Sequence, residues 1–160
     1  TDLSVEKIAG EIRIPNGLAW SPDDRLLYRT DTRSGLVLRY PFDADTGTLG
    51  AETRFFEFNA REIGGVDGAA MDADGGYWAA LYGGSRVVRI NNDGEIDREI
   101  PLTAKQPTMP CFGGPEMKTL FVTSAAQNLD EATLAAGPDN GGLLMVETDV
   151  IGHPVHSFRG

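Results

Sequence analysis

Two polar side chains stand at the same place in a stretch that recurs along the chain. Asn16 opens Asn16-Gly17-Leu18-Ala19-Trp20, and Asp67 opens Asp67-Gly68-Ala69-Ala70-Met71. Each is followed by an acidic turn, Ser21-Pro22-Asp23-Asp24 or Asp72-Ala73-Asp74-Gly75, and then by an aromatic-bearing run. A weaker third copy begins Thr108-Met109-Pro110-Cys111-Phe112 and brings Thr108 into the same register. An amide oxygen and a carboxylate oxygen are hard ligands, suited to Ca²⁺, Mg²⁺, Mn²⁺ or Zn²⁺ once further oxygens complete the shell. Asn-Gly and Asp-Gly also serve as plain turn dipeptides, so spacing alone leaves both readings open.

The other candidates carry weaker signals. Thr108 either lines the same opening, where it would touch a substrate, or caps its own turn. Asp31 sits at a strand end and is expected to anchor a turn. Asp43, Asp45, Asp72 and Asp74 lack the spaced carboxylates and closing Glu of a calcium-binding EF-hand loop and read as hairpin turns. His153 and His156 have no carboxylate or cysteine near them in sequence, so they read as surface or edge histidines. Cys111 is expected as a packing residue in a buried strand. Trp20, Trp78, Phe112 and Phe121 recur at equivalent strand positions and are expected between packed sheets.

The elements that would position these residues are short strands. Runs at 17–20, 26–30, 36–40 and 52–58 are separated by Pro, Asp and Gly turns, and a second set follows at 68–71, 77–81, 86–91 and 96–102. Asn92-Asp93-Gly94 closes one of these hairpins. The third set is expected at 111–112, 120–124 and 143–147, ending at 155–158, with a long insertion at 125–142 in which 129–135 forms a helical turn or two. Residues 5–14 alternate loosely, and 1–14 read as the outer strand of a preceding unit. Four antiparallel strands per repeat is the pattern of a β-propeller blade. The reading is therefore an all-β partial propeller over 1–160, with successive four-stranded blades at about 15–59, 66–102 and 107–158. A propeller closes with about four to eight blades, so three need completing, either by a missing N-terminal half or by a second copy as a homodimer.

Composition narrows the partners. The chain has 160 residues, 20 of them Gly and 9 Pro, as many tight turns require. Its net charge of −10, with scattered Lys and Arg, argues against nucleic acid and against an anionic membrane surface. A single cysteine excludes an internal disulfide and a cysteine-built zinc site, and fits a reducing, cytoplasmic setting. No apolar run reaches the length of a membrane span, and the first residues lack a secretory signal pattern. The chain does not begin with Met, which suggests an upstream segment.

Taken together, Pro15 to Asp23, Leu27-Tyr28 with Thr30-Asp31, Asp67-Gly68 with Asp72, Gly75 and Trp78, Gly83 to Val87, Pro107-Thr108, Phe112-Gly113-Gly114 and Leu120 to Ser124 resemble the SMP-30/gluconolactonase/LRE-like propellers. These motifs run in family order over nearly the whole chain, which looks like the C-terminal half. The resemblance implies a six-bladed propeller with one divalent cation on its axis, held by a Glu absent from this chain, by Asn16 and by Asp67. It also implies a sugar-lactone hydrolase. The cation would polarise the lactone carbonyl, and Asp67 or a water on the ion would act as base. The alternatives are a related organophosphate hydrolase, or a non-catalytic propeller scaffold whose loops bind a protein partner.

Overall fold

The computed structural model describes residues 4–157. Its strands form three antiparallel sheets in chain order. The first contains β1 (Pro15–Trp20), β2 (Leu26–Asp31) and β3 (Leu36–Asp43), with the two-residue β4 (Thr48–Leu49) and β5 (Thr53–Glu57) both pairing with β3. After the short α1 (Ala60–Ile63), the second sheet runs β6 (Gly65–Met71), β7 (Tyr77–Tyr82), β8 (Arg86–Ile90) and β9 (Ile96–Pro101). The third holds β10 (Pro107–Gly113), β11 (Thr119–Ser124) and β12 (Leu143–Glu147), with α2 (Glu131–Ala136) in the insertion.

Turn chemistry sets these boundaries. Between β1 and β2, Asp23 Oδ1 accepts from Ser21 Oγ at 2.6 Å, and Ser21 Oγ accepts from Leu26 N at 2.9 Å. Between β8 and β9, Asn91 Oδ1 accepts from Asp93 N and Glu95 N, both at 3.0 Å, while Gly94 takes the positive φ of 80° that the turn needs.

The core lies between the sheets. Side chains alternate along a strand, and β7 shows the result. Its Tyr77, Ala79 and Leu81 enter the cluster shared with the first sheet, while Trp78 and Ala80 enter the cluster shared with the third. A strand covered on both faces cannot alternate with polar residues, which is why β7 reads Tyr-Trp-Ala-Ala-Leu-Tyr. Trp78 meets Phe112 edge-on at 5.5 Å across the second interface.

A buried ion pair closes the turn between β6 and β7. Asp72 is fully buried, receiving Gly76 N at 2.8 Å, Trp78 Nε1 at 2.7 Å and Arg89 Nε at 2.6 Å. Expected only as a turn residue, it also anchors the core. Asp43 is a plain turn residue, accepting from Asp45 N and Thr46 N at 3.0 Å.

Several expectations differ from the structure. Residues 4–12 form no strand; Gly10 O instead accepts from Arg29 Nη2 at 3.0 Å, and Ile12 packs on Leu27, Leu38 and Tyr40. Among the described residues this segment has no neighbouring strand to pair with, so it drapes over the first sheet. The third sheet has three strands rather than four. After β12 the chain turns inward: Gly152 N donates to Met117 O at 2.7 Å and His153 N to Met71 O at 2.9 Å, which carries the tail to the end of β6. Phe158, expected to end the last strand, lies outside the described residues. Cys111 is exposed, not buried, because alternation along β10 puts Phe112 inside. It shares the outward face of the third sheet with Phe121 and Met145, its neighbours across the register, and Met145 is 64% exposed.

Candidate functional site

The first strands of the three sheets lie side by side, β1 against β6 and β6 against β10. Each breaks register with its neighbour at the same place: between Asn16 and Ala19, between Val66 and Ala69, and between Pro107 and Pro110. A bulge inserts an extra residue, bends the strand and re-aims a side chain. Asn16, Asp67 and Thr108 therefore occupy matching positions at the bulged ends of adjacent strands. Sequence register placed them in equivalence; it did not reveal the bulge.

Hydrogen bonds link the first two positions. Asn16 Nδ2 donates to Thr32 Oγ1 at 2.8 Å, and Thr32 Oγ1 donates to Val66 O at 2.6 Å, the carbonyl just before Asp67. Gly17 has φ 60°, and a Cβ there would stand 2.3 Å from Tyr77 Oη and 2.4 Å from Thr30 Oγ1. That bulge needs glycine for its backbone and for its space. Gly68 performs the second task between the second and third sheets, since a Cβ would stand 2.4 Å from Met109 Sδ and 2.8 Å from Thr108 O. Thr108 Oγ1 lies 2.7 Å from Thr123 Oγ1 on the paired strand.

The electrostatics differ at each position. Asp67 is half-buried, and that burial pushes its carboxyl above the ordinary Asp value. Among the described residues no hydrogen bond or ion pair offsets it. Asn16 has its amide donor committed to Thr32, which leaves Oδ1 as the atom available to a ligand. The pair thus offers two hard oxygens, one carrying charge that burial disfavours, and this donor set fits a divalent cation. Asp31 serves its turn instead, its Oδ1 accepting from Ile14 N and Arg33 N at 3.2 Å. Thr32 and Tyr77, which support the bulges, carry no recognisable signal in sequence, because their roles arise between sheets.

Residues 1–126 match the family model described as the SMP-30/Gluconolactonase/LRE-like region. The chain belongs to the SMP-30/gluconolactonase/LRE-like family. It is 39% identical over 153 residues to a 6-deoxy-6-sulfogluconolactonase of Pseudomonas putida, covering 96% of this chain and 52% of that protein. With regucalcin of Gallus gallus it shares 32% over 161 residues, covering 99% of this chain and 54% of the relative. The crystal structure of regucalcin from Agrobacterium tumefaciens, a calcium-binding protein, superposes with a TM-score of 0.90 at 34% identity, over 97% of this chain and 53% of that one. The chain therefore spans about half the length of the relatives it matches, and its three antiparallel sheets correspond to half of a six-bladed SMP-30-type propeller. No described helix is long and apolar enough to cross a membrane.

Proposed function

We infer that this chain supplies Asn16 and Asp67 as two oxygen ligands of a divalent cation in a hydrolase that opens sugar lactones. The observation that carries this reading is their placement at matching bulges of adjacent strands, coupled through Thr32. Support for the substrate class comes from the relative whose name specifies a sulfogluconolactone, and support for calcium among the possible ions comes from the calcium-binding regucalcin structure.

A cation bound there would draw electron density from the lactone carbonyl. Asn16, fixed by Thr32, would hold one side of the shell in place. Asp67 would serve as ligand and as the base that takes a proton from the attacking water. Thr108, on the next strand, would touch the substrate. The ring is completed by an N-terminal half or by a second copy of this chain, which would cover the apolar outward face of the third sheet.

The test is lactone hydrolysis, followed by acid release with and without added divalent cation, on an assembly whose mass is measured in parallel. The expected result is cation-dependent hydrolysis by a species larger than the 17.2 kDa chain, reduced about 100- to 10,000-fold by Asp67→Asn. Hydrolysis that is indifferent to Asp67→Asn contradicts the assignment.

A further inference from the structure

At the other end of the same inner strands the fold gathers a second group of potential ligands. Asp24 lies in the turn after β1, and His153 and His156 lie in the tail beyond β12. One ligand atom from each falls within 4.8 Å of the others, and His156 Nε2 is 2.8 Å from Asp24 Oδ1. We propose that Asp24, His153 and His156 form a binding site for a divalent first-row transition-metal ion such as Zn²⁺, separate from the Asn16 and Asp67 pair.

The donor chemistry differs between the two ends. Two borderline imidazoles beside one carboxylate are matched to Zn²⁺ rather than Ca²⁺. In a tetrahedral zinc shell, ligand atoms about 2.0–2.1 Å from the ion stand roughly 3.3 Å apart. Small side-chain rotations bring the present spacing to that value, and the ion replaces the proton now shared by His156 and Asp24.

Two of the three ligands are held before any ion arrives. His153 is fixed through its backbone, its N–H bonded to Met71 O at 2.9 Å. The preceding Gly152 lies so close to Phe112 that a Cβ would stand 2.0 Å from Phe112 Cβ. Asp24 is set by its turn, with N–H to Ser21 O at 2.9 Å and φ of 58°. His153 Nε2 is buried and has no hydrogen-bond partner. A buried polar nitrogen left unpaired is costly, and coordination would satisfy it. All three residues border a cavity of about 600 Å³, which leaves room for an external fourth ligand. A bound ion would join the tail, already anchored on β6, to the first hairpin.

The experiment uses tag-free chain carrying Asp67→Asn, so that the carboxylate at the opposite end takes no part, and titrates it with Co²⁺ alone, then with competing Zn²⁺. The expected result is one Co²⁺ per chain with the visible bands of tetrahedral coordination, displaced by Zn²⁺ but not by Ca²⁺. His156→Asn, at an exposed position, and Asp24→Asn, which tolerates the positive φ, are each expected to lower affinity by more than about 100-fold, beyond the range for an outer-shell partner. Absence of binding by the folded chain overturns the proposal, as does an affinity that neither substitution changes.

Discussion

Tyr77 Oη, on the second sheet, donates to Gly17 O on the first at 2.7 Å, and Thr30 Oγ1 stands 3.0 Å from that tyrosine hydroxyl. Tyr77 and Thr30 are fully buried, and burial holds the phenol protonated by raising its pKa. One hydroxyl therefore fixes the bulge that presents Asn16. Tyr77→Phe leaves the Gly17 carbonyl and the Thr30 hydroxyl unpaired in the core, at a cost of about 1–3 kcal/mol. Urea denaturation should show that loss, and calorimetry should show weaker cation binding as Asn16 gains freedom.

Gly17→Ala attacks the same bulge from the other side. A methyl group would stand within 2.4 Å of both hydroxyls, on a backbone with φ 60°. The left-handed conformation alone costs an L-residue about 1–2 kcal/mol. The total destabilisation should exceed about 2 kcal/mol by chemical denaturation, whereas Gly47→Ala, at positive φ with no neighbour within 4 Å, should cost only the backbone part.

Arg89→Gln tests the buried pair in the second sheet. Arg89 also meets Asp97, and its bond to Asp72 leads the interactions that raise its own pKa. Losing the guanidinium strands a fully buried carboxylate, so the expected cost is about 3–5 kcal/mol. That is a large fraction of the total stability of an ordinary domain, about 5–15 kcal/mol. A change below about 1 kcal/mol in denaturation would show that Trp78 and the turn amides suffice for Asp72.

Much of this architecture is legible in the residues. Asn92-Asp93-Gly94 and Ser21-Pro22-Asp23-Asp24 mark hairpins because their turn chemistry is local, and Leu129 to Ala135 overlaps the observed α2. Long-range features are not legible in that way. Asp72 looks like any acidic turn residue until Arg89 is folded against it. His153 and His156 look unaccompanied because Asp24 lies far off in sequence, 132 positions before His156. Cys111 was expected inside because the apolar run around it hides which face of β10 is covered. For the candidate site, the repeat aligns Asn16, Asp67 and Thr108, while Thr32 and Tyr77, supplied from between the sheets, escape notice.

Asp67 should give the cation-free protein a distinctive pH response. Its folded pKa is raised by burial above the ordinary 3.8, so the folded state holds this proton more tightly than the unfolded chain does. The stability it contributes is complete below 3.8 and is lost as pH rises through the folded value. Thermal melts of the unsubstituted chain without cation should therefore lose stability across that window relative to Asp67→Asn. Near neutral pH, added Ca²⁺ should raise the melting temperature of the unsubstituted chain and leave that of Asp67→Asn in place.

Calorimetric titration of Ca²⁺ into the unsubstituted chain, Asn16→Ala and Asp67→Asn, each in the assembly it forms, is the most direct measurement. The expected result is a single class of sites, with affinity lowered at least about 10-fold by Asn16→Ala and more by Asp67→Asn, which removes charge as well as a ligand. Equal affinity in all three proteins would place the ion elsewhere and contradict a cation held between the first two bulges.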